Sequence, residues 1–326
     1  MSKVKFNWAT LGVGVIGNQL AEAMQKLGGN LYSVGNRTKS KAEDFAAKYN
    51  IGKIYDDIDD MFSDENVDIV YISTPHNTHI NYLRKALAAG KHVLCEKSIT
   101  LNSAELKEAV DLAKSKNLIL AEAMTIYHMP IYKKLNEIIK SGALGELKLI
   151  QMNFGSYKEY NMKNRFFNRN LAGGAMLDIG VYALSFMRWF MSSTPNEILS
   201  QVKFAPTGVD EQATILLKNP QEEMATVTLS LHAKQPKRGT IAFDKGYVEI
   251  FEYPRSANAQ IVWTSDNRRE EISEGDTAEA LCYEVEDMEA AVSGERNDMH
   301  LDYTIDVMDI MTKIRNNWNM KYPEEE

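Results

Sequence analysis

The chain has 326 residues, of which 44% are hydrophobic and 25% are charged, and its formal net charge is −8. A chain of this length exceeds what one ordinary hydrophobic core organises, so two domains are expected. The acidic balance argues against a nucleic-acid partner and against an anionic membrane surface.

Three features of the sequence bear on the compartment in which the protein works. The first residues lead through lysines directly into a strand, so no secretory segment is expected. The most apolar run, 175–191, is interrupted by two charges and falls short of a membrane span. Cys95 and Cys282 are expected to be buried free thiols, with a nucleophilic Cys95 as the alternative. Together these features predict a cytoplasmic protein.

A glycine-rich motif follows the first predicted strand, 6–11. The sequence GVGVIG leads from this strand into an amphipathic helix that ends near Leu27, which is the context of a dinucleotide-binding fingerprint. The first glycine permits a tight turn, the second lets the backbone approach a pyrophosphate, and the third lets the helix pack on the strand. Amides at the helix start then face the phosphates. The candidate cofactor residues of this loop are Gly12, Gly14, Val15, Ile16 and Gly17.

The residues after the second predicted strand, 31–35, indicate which dinucleotide is preferred. Enzymes that bind the unphosphorylated cofactor usually place Asp or Glu here to hold the ribose 2′-hydroxyl. This chain has Asn36 and Arg37 instead, and its next acid is Glu43. Arg37 can pair with a 2′-phosphate and stack on adenine, which favours NADP over NAD. The alternative is a solvated arginine at a helix start.

Polar residues also follow the strand predicted at 68–72, after helices at 39–49 and near 56–62. At a strand's carboxyl end these residues can contact the nicotinamide ribose. For the two histidines among them, helix capping or packing is the alternative, and no metal role is expected because acidic and cysteine partners are missing at ligand spacing. The candidates are Thr74, Pro75, His76 and His79.

The stretch GKHVLCEKS, at 90–98, is where chemistry is expected. Its apolar run is typical of a strand buried on both faces of a parallel sheet. Glu96 and Lys97 follow at the carboxyl end, where open α/β sheets bind ligands. Desolvation can lower the pKa of Lys97, which allows proton exchange. Both residues are candidate cofactor contacts, and the alternative is a surface ion pair.

Strand and helix alternate throughout 1–124, which predicts a dinucleotide-binding domain with a doubly wound parallel sheet. A helix at 130–141 and a strand at 147–154 begin a different pattern. Period-two runs then indicate a mostly antiparallel sheet with one exposed face, in an α+β domain at 125–326 for substrate binding and oligomerisation. Further strands are predicted at 241–243, 247–251 and 260–263, followed by two helices and a disordered acidic end at 324–326.

One helix of the second domain, predicted at 173–190, is apolar nearly all round and should be buried. Asp178 inside it therefore needs a partner or a function. Tyr182 lies four residues on and hence on the same face, where a carboxylate and a phenol can anchor a hydroxyl-bearing substrate and relay its proton. The alternative is a helix–helix hydrogen bond with Tyr182 as core. Arg165 is a candidate for substrate or cofactor phosphate, or a solvated arginine.

Taken together, the chain resembles the glucose–fructose oxidoreductase, inositol dehydrogenase and MocA family of NAD(P)-dependent oxidoreductases. The resemblance covers most of the chain and rests on GVGVIG, STPHNTH, GKHVLCEKS, EAM at 122–124 and LAGGAMLDIGVY at 171–182. The branch with dimeric dihydrodiol dehydrogenases and related sugar reductases is most similar, because tyrosine stands where inositol dehydrogenases carry a catalytic histidine. The resemblance implies catalytic roles for Lys97 and Tyr182, a supporting role for Asp178, and a homodimer or higher homo-oligomer.

One departure from the family pattern concerns the residue after Lys97. The family has Glu-Lys-Pro, often with a cis bond before the proline, whereas this chain has Ser98. Because a cis bond before a non-proline residue costs about 2.5–4 kcal/mol, the bond before Ser98 is predicted to be trans.

The resulting hypothesis is an NADP-preferring oxidoreductase, with NAD as the alternative cofactor, acting on a sugar, polyol or dihydrodiol-like small molecule. A hydride would pass between nicotinamide C4 and the carbinol carbon, and Tyr182 or Lys97 would exchange the oxygen-bound proton. Substrate contacts would come from Lys97, Arg165, Asp178 and Tyr182. The alternative is a non-catalytic NAD(P)-binding sensor, which need not keep Lys97, Asp178 and Tyr182 together.

Overall fold

The computed structural model describes residues 6–326, and these form two compact units. The first unit contains the described residues up to Met124 together with Ala278–Leu301, and the second contains Thr125–Thr277 and Asp302–Glu326. The second domain was predicted to be continuous from 125 to 326, whereas in the structure one segment of it, Ala278–Leu301, belongs to the first unit. The lysines on which the expectation of no secretory segment rested, at 3 and 5, lie outside the described residues.

The described residues contain fourteen strands and nine α-helices. The strands are β1 (Asn7–Leu11), β2 (Asn30–Gly35), β3 (Lys53–Tyr55), β4 (Ile69–Ile72), β5 (His92–Glu96), β6 (Leu120–Ala123), β7 (Leu147–Gly155), β8 (Glu197–Phe204), β9 (Asp210–Lys218), β10 (Met224–Ser230), β11 (Gln235–Phe243), β12 (Gly246–Phe251), β13 (Asn258–Trp263) and β14 (Arg269–Ser273). The helices are α1 (Val15–Leu27), α2 (Lys39–Tyr49), α3 (Ile58–Ser63), α4 (His79–Ala88), α5 (Ser103–Ser115), α6 (Pro130–Lys140), α7 (Val181–Phe190), α8 (Ala280–Val292) and α9 (Leu301–Asn317).

The first unit is built on a six-stranded sheet in the order β3-β2-β1-β4-β5-β6, with every pair parallel. All four residues of β4 are buried, as are the three central residues of β5. Continuous apolar runs of this kind belong to strands covered by helices on both faces. The predicted doubly wound parallel sheet is therefore confirmed.

Helix α8 belongs to the first unit although more than 150 residues separate it from β6. It packs against α1. The indole Nε1 of Trp8 donates a hydrogen bond of 3.0 Å to the Glu289 carboxylate, and both side chains are buried. Lys26 and Glu279 also form an ion pair. The helical pattern at 280–292 predicts the helix but carries no information about which unit covers its apolar face.

The second unit contains an eight-stranded sheet in the order β14-β13-β12-β11-β7-β10-β9-β8. Its pairs are antiparallel except for β7 with β10, so the predicted mostly antiparallel sheet is confirmed. Strand β9 alternates buried and exposed residues along most of its length. One face therefore packs against the unit's core, where α7 contacts β7 and β10, and the opposite face carries exposed side chains.

The helix predicted at 173–190 differs in its first part, because a π turn at Met176–Gly180 precedes α7. By length and composition the segment Arg169–Phe190 could cross a membrane, although the predicted apolar run fell short of this, and it is the one such segment in the described part of the chain. Of its apolar window, 83% is buried inside the protein. This burial is that of a core helix.

The acidic chain end is ordered, contrary to the prediction. Residues Pro323–Glu325 form a 3-10 turn. The Glu325 carboxylate accepts hydrogen bonds of 2.7 and 2.9 Å from Arg315, whose side chain is buried. A buried guanidinium without a counter-charge is strongly unfavourable. The need of Arg315 for a partner thus accounts for the order of this segment.

Candidate active site

The glycine loop of the first unit permits two close backbone approaches. Gly12 has φ of +102°, and a Cβ built on it would lie 2.7 Å from the carbonyl oxygen of Ser73. A Cβ on Gly17 would lie 2.7 Å from the carbonyl oxygen of Gly12. Only glycine therefore allows the turn after β1 to lie against Ser73, just after β4, and allows α1 to begin against that turn.

Gly14 differs from its neighbours because a Cβ built on it would meet nothing within 4 Å. It is the N-cap of α1, and the first turn of that helix carries no acidic side chain. The next residue, Val15, is 81% exposed. Open space over a helix N-terminus, with its amides and positive dipole end, suits an anionic phosphate. The loop residues thus fit the pyrophosphate of a dinucleotide.

Arg37 lies just after β2 and is exposed. Within residues 6–326 its guanidinium has neither a hydrogen bond nor an ion pair, whereas the nearby Lys39 pairs with Asp56. The side chain of Asn36 is engaged locally, because its amide donates to the carbonyl of Thr38 at 2.9 Å. An exposed arginine just after the second strand of a dinucleotide-binding sheet fits a 2′-phosphate.

Two histidines connect the loops that follow β4 and β5. The ring of His79 is fully buried, with Nδ1 3.0 Å from the carbonyl oxygen of Ser98 and Nε2 2.8 Å from that of Thr74. Burial lowers the pKa of His79. The Nε2 atom of His76 lies 3.1 Å from the carbonyl oxygen of Lys97. These contacts place both rings against backbone, and for His79 they favour the packing alternative over contact with a cofactor.

The peptide bond between Lys97 and Ser98 is cis, so the prediction of a trans bond is wrong. That prediction considered only the intrinsic preference of a non-proline bond. In the structure the carbonyl groups of both residues face histidine rings from the neighbouring loop. The next amide, of Ile99, donates 3.0 Å to the buried carboxylate of Glu122. None of these partners is adjacent in sequence.

The side chains around Lys97 differ in exposure. Lys97 and Glu96 are half-buried, and the hydroxyl of Tyr71 donates to the Glu96 carboxylate. Cys95 is fully buried, and burial raises the pKa of its thiol, with Glu96 and Glu122 adding to the effect. A thiol held protonated and away from solvent is a poor nucleophile. The expectation of two buried free thiols, Cys95 and Cys282, is confirmed.

In the second unit, the π turn brings Asp178 beside Arg165. Asp178 is 8% exposed, and its Oδ1 lies 3.4 Å from Nη1 of Arg165. Tyr182 is the second residue of α7 and is half-buried, with its ring centroid 6.1 Å from that of Phe154. The unit therefore joins a carboxylate and a guanidinium, with a phenol four residues further along the chain. That is the set predicted to hold a hydroxyl-bearing substrate.

The glycine pair before Asp178 explains how Arg165 reaches it. A Cβ on Gly173 would lie 2.5 Å from the carbonyl oxygen of Arg165 and 2.8 Å from that of Phe166. Gly174 has φ of +123° and donates a backbone hydrogen bond of 2.9 Å to Phe166. Because neither position admits a side chain, the backbone at 165–166 packs directly on the start of the helix.

Two further residues hold the same backbone and were missed in the sequence. Asp210, at the start of β9, accepts a hydrogen bond of 2.6 Å from the amide of Met176. The hydroxyl of Tyr322 donates 2.7 Å to the carbonyl of Gly173. Both side chains are fully buried. They position the residues just before Asp178, but each lies more than 30 positions away in sequence, and neither belongs to a recognisable motif.

Asp210 has an unusual protonation equilibrium. Burial raises its pKa to about 7, although the Met176 amide and the charge of Arg315 act in the opposite direction. Its Oδ1 atom has no hydrogen-bond partner among the described residues. A carboxyl group in such a place is easier to bury when protonated.

Comparison with known proteins identifies the class to which this fold and site belong. A family model described as an oxidoreductase family with an NAD-binding Rossmann fold matches residues 6–124, and the C-terminal domain model of the same family matches residues 132–249. The chain belongs to the Gfo/Idh/MocA oxidoreductase family. It is an oxidoreductase that uses a nicotinamide dinucleotide, so the sensor alternative is not favoured.

Similar proteins include trans-1,2-dihydrobenzene-1,2-diol dehydrogenases. The protein from Mus musculus is 32% identical over 247 residues, covering 74% of each chain, and that from Homo sapiens is 33% identical over the same length, covering 74% of this chain and 73% of its own. Among solved structures, a 3-ketoreductase from Actinomadura kijaniata in complex with NADP and TDP-benzene has a TM-score of 0.85 at 19% identity, covering 95% of this chain and 97% of its own. The latter likeness concerns the fold.

The first prediction concerns the cofactor. Replacing Arg37 by alanine should weaken NADPH binding by at least about ten-fold, because a charge-assisted contact is lost, and should leave NADH binding unchanged. Isothermal titration calorimetry with both cofactors measures this. Lys41→Ala, at an exposed position on α2, is the matched control. NADH binding as tightly as NADPH in the unaltered protein would contradict the assignment.

The second prediction concerns Asp210. Its pKa of about 7 in the folded state exceeds its ordinary value of 3.8. The folded protein therefore binds more protons between these values, and the free energy of unfolding should fall as pH rises through this window, by up to about 4 kcal/mol. Asp210→Asn should remove that part of the pH dependence. Urea unfolding at four pH values between 4.5 and 7.5 measures it, with the exposed Asp266→Asn as control.

For this second prediction, the informative quantity is the difference between the variant and the unaltered protein at each pH. All other titrating groups are common to both and cancel in that difference. Parallel stability curves for the unaltered protein and Asp210→Asn would mean that Asp210 is ionised throughout and that its burial does not control its charge.

Proposed function

We propose that the protein transfers a hydride between nicotinamide C4 and a carbinol or carbonyl carbon of a sugar, polyol or dihydrodiol-like compound, with NADP preferred over NAD. The observation that carries the proposal is the set of Asp178, Arg165 and Tyr182 at the start of a buried helix. The curated relatives named as dihydrodiol dehydrogenases support the same type of substrate carbon. The preference for NADP rests on Arg37.

In this proposal each side chain has a separate task. The bound nicotinamide supplies the hydride acceptor or donor. Tyr182 or Lys97 exchanges the proton on the substrate oxygen. Asp178 accepts hydrogen bonds from substrate hydroxyls, and the guanidinium of Arg165 lies 3.4 Å from its carboxylate.

The remaining cofactor contacts are proposed along the carboxyl ends of β4 and β5. Thr74, Pro75 and His76 follow β4, and Glu96 ends β5, where it accepts a hydrogen bond from Tyr71. Contact with the nicotinamide ribose would use these positions. His79 serves this group indirectly, since its ring holds the backbone of Thr74 and Ser98.

The third prediction tests catalysis. Lys97→Met keeps most of the side-chain bulk and removes the charge, so turnover should fall by about a hundred-fold or more while NADPH binding changes little. Tyr182→Phe should behave in the same way. The double variant should lose less than the product of the two effects, because residues that act as a unit are not additive. A screen of sugars, polyols and trans-dihydrodiols, followed by NADPH absorbance, supplies the substrate.

Matched controls for this test are Lys116→Met, which removes a lysine at the end of α5, and Tyr82→Phe, which removes a half-buried phenol on α4. Both should keep the original turnover. If Lys97→Met turns over a confirmed substrate at the original rate, the lysine is structural and the proposed chemistry fails.

We further propose that the protein is a homodimer or a higher homo-oligomer. The open face of the large sheet carries exposed apolar side chains, and Leu199 on β8 stands directly opposite Leu216 on β9, at 70% and 44% exposure. Met224 and Phe251 are exposed on the same sheet. Two copies of such a face packed about a two-fold axis would cover it.

The two buried free thiols suit a reducing compartment, which supports a cytoplasmic location.

The fourth prediction tests this assembly. Introducing glutamate at both Leu199 and Leu216 places two carboxylates from each copy in the proposed interface, so light scattering at micromolar concentration should change from a multiple of the chain mass to a single chain mass. Ile54→Glu, at an apolar position of the first unit that is 36% exposed, is the control and should leave the mass unchanged. A single chain mass for the unaltered protein would contradict the proposal.

A further inference from the structure

The loop between β7 and the π turn is basic in an otherwise acidic chain. Residues 156–170, called the basic loop below, contain four cationic side chains and one anionic side chain, a net charge of +3, whereas the whole chain carries −8. The cationic residues are Lys158, Lys163, Arg165 and Arg169, and the anionic one is Glu159. Arg169 pairs with Glu326, which leaves three cations to be accounted for.

Two of these cations converge on one aromatic ring. The ammonium of Lys158 lies 4.3 Å from the ring centroid of Phe166, and the guanidinium carbon of Arg165 lies 4.1 Å from the same centroid. The two charges are therefore no more than about 8 Å apart, close enough to repel each other at physiological ionic strength. Like charges held this close favour an anion beside them.

The described residues supply little negative charge to this pair. No carboxylate among residues 6–326 forms an ion pair with Lys158, and Asp178 is the one that reaches Arg165, at 3.4 Å. Arg165 remains 58% exposed and has five N–H donors, of which this contact uses one. Lys158, Arg165 and Asp178 together carry a charge of +1.

The backbone around both cations is hydrogen-bonded to residues outside the basic loop, just after β10 and just before the π turn. The amide of Lys158 donates 2.8 Å to the carbonyl of Leu231, and a ring nitrogen of His232 lies 3.2 Å from the Lys158 carbonyl oxygen. On the other side, the carbonyl of Phe166 accepts the 2.9 Å hydrogen bond from Gly174. Because the backbone that carries both cations is held in this way, binding a ligand orders their side chains but not the loop itself.

We propose that the substrate of this enzyme carries an oxyanion, a carboxylate or a phosphate, which Arg165 and Lys158 bind on Phe166 while Asp178 binds its hydroxyl groups. Resting on the function proposed above, the inference narrows the substrate class from hydroxylated compounds in general to acidic ones. Arg165 donates to the oxyanion and to Asp178 at the same time, which keeps the anionic and the hydroxylated parts of the substrate on separate partners. The three side chains carry a net charge of +1, so they attract an added anion, whether a carboxylate or a phosphate.

The test compares neutral compounds with their acidic counterparts. D-glucose, D-glucuronate and D-glucose 6-phosphate form one series, and D-galactose, D-galacturonate and D-galactose 6-phosphate form another. Binding to the NADP-loaded protein is measured by calorimetry, and turnover by NADPH absorbance. In at least one series an acidic member should bind about ten-fold or more tightly than the neutral one, and 0.5 M NaCl should reduce this preference.

Variants locate the preference on the basic loop. Lys158→Met and Arg165→Gln should each reduce the acid-to-neutral ratio about ten-fold, the scale of one lost charge-assisted hydrogen bond. The matched control is Lys163→Met, an exposed lysine of the same loop with no contact to the ring, which should leave the ratio unchanged. Comparing the uronates with the sugar 6-phosphates shows whether the preferred oxyanion is a carboxylate or a phosphate.

The outcomes separate this inference from the proposed function. The inference is overturned if turnover and binding show no preference for any acidic member, or if Lys158→Met leaves such a preference intact. In either case, hydride transfer to a neutral substrate would still support the proposed function. Selective binding of an acidic member that Lys158→Met abolishes supports the inference even when that compound is not oxidised. Binding of no acidic member in either series also overturns it.

Discussion

The architecture of both units depends on places where two backbone segments approach so closely that only glycine, with a hydrogen in place of a side chain, fits there. In the first unit, Gly12 and Gly17 leave room for Ser73 and for the turn after β1, which places the N-terminus of α1 at the end of the sheet. In the second unit, Gly173 leaves room for the carbonyl groups of Arg165 and Phe166. A methyl group at any of these positions would have to displace main chain, and main chain cannot rotate away as a side chain can. The same steric constraint thus shapes the glycine loop in one unit and the proposed substrate group in the other.

The buried charges of the second unit follow from this constraint. Once the helix start is held against the loop, Asp178 keeps only 8% of its surface exposed, and the guanidinium of Arg165 lies 3.4 Å from its carboxylate. The backbone just before Asp178 is hydrogen-bonded to the carboxylate of Asp210, on β9, and to the hydroxyl of Tyr322, which precedes the 3-10 turn. Strand β9, the loop and the C-terminal segment therefore meet at one turn of the helix. Burying that many polar groups is unfavourable unless each finds a partner. The bonds of Arg315 to Glu325 therefore contribute indirectly to the position of Asp178.

Sequence reasoning succeeded where the information is local. Helix α2 has the predicted bounds, and the parallel sheet follows from alternating strands and helices. Strand β3 was missed because three residues are too few to show a periodicity, and β14 was missed because its residues are mostly charged. Strand β9 does alternate, with Ala213, Ile215 and Leu217 buried, so its pattern was present and overlooked. The return of α8 to the first unit, the cis bond before Ser98, and the contacts of Asp210 and Tyr322 depend on partners distant in sequence. Local patterns predict an element but not what covers it.

This distinction also separates what a motif can say about the cofactor from what it can say about the substrate. Phosphate binding needs a turn, two small residues and a helix start, all within six consecutive residues, so the sequence alone indicates a dinucleotide. The substrate group that we propose draws on the basic loop, the π turn, β9 and the segment near Tyr322, and no spacing rule connects them. Once the structure shows which side chains lie together in such a group, their net charge can nevertheless be added up. Because Coulomb attraction acts over several ångströms and tolerates imprecise placement, net charge is a more robust guide to the class of substrate than the position of any one hydrogen bond.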